Sequence, residues 1–273
     1  MSEGLAELER ARAVLAVRAG HYGRSLELRA ETGSTNDDAR AAADAGAARG
    51  HVVVADAQRS GRGARGSAWS SPAGTDLYVS IVERLELAPR ALSVLTLAVG
   101  LGVRDACAHL LAGRDLEARV KWPNDVRLGE RKCAGVLVES SSIGERLGPI
   151  VIGIGLDVNR ATWAPELRGL ATSLREASGD VPLDRSVVLV ALLESVEARV
   201  EQLVREGPDV IVRELRRHLA LVGREVRVDT TEGVLEGVDD DGALLVRLVD
   251  GTLAHLRSGT LRERGGESIG IRC

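Results

Sequence analysis

Phenylalanine is missing from this chain, and tryptophan and tyrosine together lift the aromatic share to only 2%. With 44% hydrophobic residues over 273 positions a sizeable core is still within reach, so it has to be built from Leu, Val, Ala and Ile. Each Trp or Tyr thereby becomes a candidate for a specific task. Cysteine is scarce too: Cys107, Cys133 and Cys273 show no Cys-x-x-Cys spacing and leave one unpaired, which excludes a disulfide framework and fits a reducing compartment. No basic segment followed by an apolar run precedes Gly33, and apolar stretches are broken by charge or glycine before about 18 residues. The expectation is a cytoplasmic, soluble chain with no membrane partner. A net charge of −4 and a pI near 5.8 leave no broad basic face, so a general grip on nucleic acid is not expected. Gly-x-Ser-x-Gly, His-Glu-x-x-His and P-loop motifs are absent, and His21, His51, His109, His218 and His255 are scattered without catalytic spacing. A covalent enzyme nucleophile is therefore not expected.

What is present is a local concentration of cations and glycines. Gln58-Arg59-Ser60-Gly61-Arg62-Gly63-Ala64-Arg65-Gly66-Ser67-Ala68-Trp69 lies between two β-branched runs, 51–55 and 77–82, and so reads as a loop hung between strands. Glycines uncover backbone N–H groups and arginines supply fixed positive charge, a combination suited to a carboxylate or a phosphate. The spacing Gly61-x-Gly63-x-x-Gly66 also matches the dinucleotide fingerprint, which requires a helix to start at the third glycine. Ser70-Ser71-Pro72-Ala73-Gly74 and then a strand follow instead, so that reading fails on context.

The remaining pattern predicts an amphipathic helix over 3–20, a strand over 26–30, and an Ala-rich helix over 37–45 behind Gly33-Ser34-Thr35-Asn36. Ser34 with Asp37, or Thr35 with Asp38, has capping-box spacing. Capping does not account for both residues plus Asn36, and three short hydrogen-bonding side chains in a row suit a polar ligand. A buried helix over 91–111 uses Gly100 and Gly102 for close packing, and a strand over 118–121 leads into Trp122-Pro123-Asn124-Asp125. A hairpin turning at Gly129 follows, with a return strand over 133–139 that would bring Lys121 and Lys132 together. Next come a glycine-rich strand over 150–159, an irregular stretch with a short helix at 171–174, and helices over 184–206 and 208–221. From Gly223 short alternating strands suggest a small barrel. The predicted division is a catalytic domain over 1–221, a small β domain over 222–264 and a frayed tail over 265–273.

Arg62, Arg65, Lys121 and Lys132 around glycine-rich backbone, with Asp125, Asp157 and Asn159 as oxygen donors for magnesium, suit a reaction that presses two anions together. Two unit charges about 3.5 Å apart repel by roughly 5 kcal/mol at an effective dielectric of about 20. Cations remove that barrier and orientation supplies most of the rest, so a carboxylate-activating, nucleotide-using enzyme is the reading of the residues themselves.

The motifs taken together resemble those of biotin protein ligases. The resemblance rests on Gly33-Ser34-Thr35-Asn36, Gln58 with Gly61-Arg62-Gly63, Trp69 to Ser71, Leu77-Tyr78-Val79-Ser80, Lys121-Trp122-Pro123-Asn124-Asp125, Arg131-Lys132-x-Ala134-Gly135-Val136-Leu137-Val138-Glu139 and Ile152-Gly153-Ile154-Gly155, in order over about residues 30 to 160. It implies an α+β fold: a mixed-sheet catalytic domain of the class II aminoacyl-tRNA synthetase and biotin-ligase type, with an SH3-like C-terminal barrel. By that resemblance Ser34, Thr35, Asn36 and Gln58 would bind the ureido ring of biotin, and Gly63, Ala64, Gly135, Val136 and Leu137 its remaining surface. Arg62 would hold the carboxylate, and Lys132 would bridge carboxylate and α-phosphate. Lys121, Asn124 and Asp125 would line the phosphate and magnesium side, Asp125 and Asp157 would be the metal ligands, and Arg65, Trp69, Asp157 and Asn159 would serve the nucleotide.

The implied activity is ATP-dependent formation of biotinyl-5'-AMP and transfer of biotin to a lysine of a biotin carboxyl carrier domain of acetyl-CoA carboxylase or a related carboxylase. Edge strands are compatible with a homodimer, and operator DNA binding is not expected. Three positions depart from the family pattern: Ala64 in place of an arginine, Ser67 in place of a basic residue and Asp157 in place of asparagine. The first two imply a looser hold on the acyl-adenylate. The rival readings are a lipoate ligase, disfavoured because lipoate has no ureido group for the Ser-Thr-Asn cluster, and a non-catalytic biotin sensor, disfavoured by the presence of both Arg62 and Lys132.

Overall fold

The computed structural model describes residues 3–86, 88, 91–143 and 146–264. Helix α1 (Glu3–Val17) is followed by β1 (Leu26–Arg29), α2 (Thr35–Asp44), β2 (Val52–Ala55), β3 (Leu77–Glu83) and α3 (Leu92–Leu110). Strands β4 (Ala118–Lys121), β5 (Asp125–Leu128), β6 (Arg131–Ile143) and β7 (Arg146–Leu156) complete one seven-stranded sheet in the order β1-β2-β3-β7-β6-β5-β4. Only β1 and β2 pair in parallel; the other neighbours are antiparallel. Helices α4 (Leu174–Ala177), α5 (Arg185–Glu206) and α6 (Pro208–His218) lead to a second sheet of β8 (Glu225–Val228), β9 (Thr231–Val238), β10 (Leu244–Arg247), β11 (Leu253–Leu256) and β12 (Leu261–Glu263). That sheet is antiparallel throughout, in the order β11-β10-β9-β8-β12.

Strand periodicity explains the layering. Successive side chains point to opposite faces, so Val52, Val54, Val79, Ile81, Ile150, Ile152 and Ile154 join the large core with α1, α3 and α5. Val53, Val82 and Val151 face the other way, onto Ala39 and Ala43 of α2. Near-continuous Val and Ile in β2, β3 and β7 is the pattern of strands covered on both sides. Helix α3 is, by length and composition, apolar enough to cross a membrane, yet most of it is buried against the sheet and α5. Of its two glycines only Gly102 is sterically required: a Cβ there would sit 2.6 Å from Val196 Cα of α5, whereas at Gly100 it would meet Val120 at an ordinary 3.6 Å.

Several expected boundaries move. The first helix stops at Val17, and α6 stops at His218 rather than 221. Helix α2 begins at Thr35, two residues early, and its N-cap Ser34 makes no side-chain capping bond. Neither capping pair forms: Ser34 makes no cap, Thr35 Oγ1 donates to Gln58 and the Asp37 carboxylate accepts from Arg62. The short helix expected at 171–174 starts instead at Leu174, where the hydroxyl of Ser173 accepts from Glu176 N; residue 171 is in a bridge with Lys132. Strand β7 begins at Arg146, so β6 and β7 form one long hairpin. The C-terminal sheet closes with β12, which pairs antiparallel with β8. The 265–273 segment, with Cys273, lies outside the described residues; Cys107 and Cys133 are free and buried.

Candidate active site

The cavity sits where one face of the large sheet changes character. Under α2 that face is Val53, Val82 and Val151. Further along, strand alternation and register bring Tyr78 and Ser80 of β3 beside Gly155 and Gly153 of β7, and these beside Gly135 and Leu137 of β6. Apolar bulk is replaced by small or polar groups, and the sheet becomes the floor of a hollow of about 480 Å³. Its walls include Ser34, Thr35, Asn36, Gln58, Arg62, Gly63, Ala64, Arg65, Trp69, Lys121, Asn124, Asp125, Lys132 and Asp157. Val136 also borders the hollow, but alternation turns its side chain, 2% exposed, into the opposite layer, so it contributes backbone.

The glycines of β6 and β7 are needed for close approach. A Cβ on Gly153 would collide with Asn36 Oδ1, one on Gly155 with the Trp69 ring, and one on Gly135 would lie 2.9 Å from Trp69 Cζ3. Trp69 therefore lies against bare backbone, and the Lys132 ammonium sits 5.1 Å from its ring centroid. Trp69 Nε1 is buried without a hydrogen-bond partner.

At one end of the cavity the predicted ureido set is gathered. Gln58 Oε1 accepts from Thr35 N at 2.9 Å and Thr35 Oγ1 at 3.1 Å, while Gln58 Nε2 donates to Ser71 Oγ at 3.0 Å. Asn36 Nδ2 donates to Glu139 Oε2 at 2.6 Å. Ser80 Oγ is 2.8 Å from Thr35 Oγ1 and 2.6 Å from Asn36 Oδ1. Ser80 and Glu139 thus hold the cluster from beneath, a role not read from the sequence although both residues end motifs that carry the family resemblance. Ser34, with no capping bond, is 4% exposed on the cavity wall.

The glycine loop forms a narrow turn: Gly63 N donates to Ser67 O at 2.7 Å and Trp69 N to Gly61 O at 2.8 Å. Arg62 reaches back to α2, donating from Nη1 and Nη2 to the two carboxylate oxygens of Asp37, each at 2.7 Å, with Glu139 at 3.5 Å. These bonds hold the Asp37 carboxyl below the usual carboxylate range. Arg65 lines the cavity but spends its guanidinium on Asp229, in the turn between β8 and β9, and on Thr260, just before β12.

At the other end, Lys121 and Lys132 both line the cavity, as the hairpin predicted. Asp125 pairs in register with Lys121 across β4 and β5, and its Oδ1 is 2.6 Å from Lys132 Nζ. Burial holds the Lys121 ammonium below the ordinary lysine range, a shift that Asp125 opposes and Lys132 reinforces. Asn124 Nδ2 donates to Val136 O at 3.0 Å, tying the turn to β6. Trp122 Nε1 donates to Gly242 O at 3.0 Å, so this aromatic anchors the second sheet.

Two predicted donors are placed differently. Asn159 does not line the cavity: its amide donates to Leu183 O at 2.8 Å and accepts from Leu183 N at 2.9 Å, so both ends hold a loop. Asp157 does line it but is 4% exposed, and Arg160, 3.4 Å away, is already hydrogen-bonded to Asp76 and to Ser70 O. Burial and the neighbouring Asp76 push the Asp157 carboxyl well up. Among the described residues no three His, Cys, Asp or Glu side chains gather as a metal cage. Magnesium bound largely through substrate phosphates needs only one or two protein carboxylates. Asp125 fits that pattern; Asp157 lies on the cavity wall but is 4% exposed, with the Arg160 guanidinium 3.4 Å away. Residues of the irregular stretch were missed: Trp163 and Leu170 also line the cavity, Trp163 Nε1 donating to Glu176 Oε1 at 2.6 Å beneath the Arg160 guanidinium. The rarity of tryptophan was the signal.

Comparison with known proteins places this arrangement. Residues 34–157 match the model of the biotin/lipoate A/B protein ligase family, and residues 221–260 that of the biotin protein ligase C-terminal domain. The biotin–[acetyl-CoA-carboxylase] ligase of Mycobacterium tuberculosis is 34% identical over 255 residues, covering 88% of this chain and 92% of that protein. That of Paracoccus denitrificans is 33% identical over 224 residues, covering 80% of this chain and 92% of the relative. The Aquifex aeolicus biotin protein ligase, solved in complex with biotin and ATP, superposes with a TM-score of 0.75 at 29% identity, over 88% of this chain and 99% of that one.

Proposed function

The chain belongs to the biotin protein ligase family, and from that premise we propose that it attaches biotin to a carrier protein in two steps at the cavity described above. In the first, a biotin carboxylate oxygen attacks the α-phosphorus of ATP, forming biotinyl-5'-AMP and releasing pyrophosphate. In the second, the amine of a carrier-domain lysine attacks the acyl carbon, an amide forms and AMP leaves with the bonding electron pair. The acceptor in this reading is a biotin carboxyl carrier domain of acetyl-CoA carboxylase or a related carboxylase, supported by the acetyl-CoA carboxylase named for the two relatives.

The observation that carries this reading is the polarity of the cavity. Short hydroxyl and amide side chains, Ser34, Thr35, Asn36 and Gln58, gather at one end, and two lysines with Asp125 at the other. A ureido ring offers one carbonyl and two N–H groups, which the first set complements. The lysines complement phosphate charge. Arg62, on the turn, takes the biotin carboxylate by exchanging it for Asp37. Their side chains are 39% and 59% exposed, so that pair is worth no more than about 1 kcal/mol and the exchange is cheap. Lys132 moves from Asp125 toward the reacting carboxylate and phosphate, leaving Asp125 available. Magnesium, when bound by Asp125 and the phosphates, would supply further neutralisation of phosphate charge. Every contribution is charge compensation or orientation, with no bond to the protein.

The test is incubation with biotin, ATP, magnesium and a carrier domain. Pyrophosphate release and a carrier mass gain of one biotinyl group are expected. Modification with lipoate at equal or greater efficiency would overturn the choice of biotin.

A further inference from the structure

The apex of the glycine loop is fastened to the C-terminal sheet. Arg65 Nη1 donates to Asp229 Oδ1 at 3.0 Å and to Thr260 Oγ1 at 3.0 Å, across 164 and 195 residues of chain. Asp229 is itself held by Thr260 N, which donates to its Oδ1 at 2.9 Å. Arg65 and Asp229 both adopt left-handed backbone, with φ of 58° and 51°, a conformation that L side chains resist. Two residues from distant parts of the chain therefore accept unfavourable backbone where they meet. The loop carrying Arg65 walls one side of the cavity, while Gly259, Thr260 and Leu261 wall another, so the contact bridges the two walls.

We propose that Arg65 acts as a positioning residue, which with Asp229 and Thr260 clasps the glycine loop to the C-terminal sheet and so retains the acyl-adenylate. The proposal rests on the ligase reading above. In that reading Arg62 gives up Asp37 for the substrate carboxylate, which removes a tie from the turn to α2 and leaves the Arg65 clasp to hold the apex, while Trp69 stays packed on Gly135 and Gly155. Glycine at 61, 63 and 66 supplies no side-chain packing that would hold it otherwise. Retention of the intermediate then depends on the small sheet as well as on groups touching the ligand.

Asp229→Ala, Arg65→Ala and the double variant, each in the full chain with biotin, ATP and magnesium, are followed for single-turnover synthesis of biotinyl-adenylate and for its escape into solution. Each single variant is expected to speed escape about threefold, the order set by a partly exposed ion pair. The double variant should not exceed Arg65→Ala, because that single change already removes both contacts of the guanidinium, to Asp229 and to Thr260. Asp229→Ala should leave the KM for ATP unchanged. Exchanging the partners, Arg65→Asp with Asp229→Arg, should restore slow escape. Wild-type escape from Asp229→Ala, multiplicative effects in the double variant, or an exchange variant that leaks like the singles would overturn the clasp. An unaltered protein that makes no biotinyl-adenylate would overturn the ligase reading and the clasp's role with it, an outcome distinct from an active enzyme whose Asp229→Ala variant leaks no faster.

Discussion

Arg62 and Asp37 form a two-bond fork, each guanidinium Nη atom 2.7 Å from a carboxylate oxygen. The arginine expected to grip a substrate carboxylate already grips one supplied by the first turn of α2. The pair keeps Arg62 oriented, and it also makes Asp37 a competitor of the substrate.

Removing that competitor has a defined consequence. Asp37→Asn is expected to lower the KM for biotin about two- to threefold with little change in kcat, matching the small worth of a half-exposed pair. Arg62→Ala should reduce kcat/KM for adenylate formation by about 30-fold, corresponding to about 2 kcal/mol for a charge-assisted bond. Pyrophosphate-release kinetics over a biotin titration decide it; a raised KM in Asp37→Asn would make Asp37 an orienting group instead.

The depressed Lys121 ammonium makes nucleotide binding sensitive to alkaline pH. A phosphate favours the charged lysine, so above the lowered pKa of the free protein, binding must bring in a proton. The KM for ATP should therefore rise with pH before the ordinary lysine range is reached. In Lys121→Arg, which stays charged, the profile should be flat over the same interval. Identical profiles in the two proteins would contradict this.

Asp157 is buried with its carboxyl pushed well up. A folded pKa above the unfolded value means that full stability is present below the unfolded carboxylate pKa, near 4, and is lost as pH rises from there through the folded pKa. Asp157→Asn removes that loss. It should be the more stable protein at pH 7, with the gap closing toward pH 4, as read by urea denaturation across pH. A gap independent of pH would mean that packing, not ionisation, separates them.

Ser80 supports the polar end of the cavity without lining it. Ser80→Ala removes its contacts to Thr35 and Asn36, a loss of about 1 kcal/mol in the order of the structure's buried hydrogen bonds. Biotin KM should rise about fivefold while ATP KM stays put. An equal rise in both would point to general loosening.

Much of this protein was legible in one dimension. Lys121-Trp122-Pro123-Asn124-Asp125 and Arg131-Lys132 are contiguous, and the Gly129 turn between their strands is a local event, so the meeting of the two lysines around Asp125 followed from short-range geometry. The core helices and strands announced themselves by periodicity, which depends only on each segment's own burial. The partners of those segments were not legible. That Asn159 is spent on Leu183 and that Trp122 fastens the C-terminal sheet are contacts over long separations, and no spacing rule encodes them.

The sequence by itself determined the inventory: which cations, which glycines, which short polar side chains, and in what local order. Only the tertiary structure decided which of them are free. A side chain's availability to a ligand depends on what else it bonds, and for Arg62, Arg65 and Asp157 that was set by residues from other elements, packed against them by the burial of the sheet.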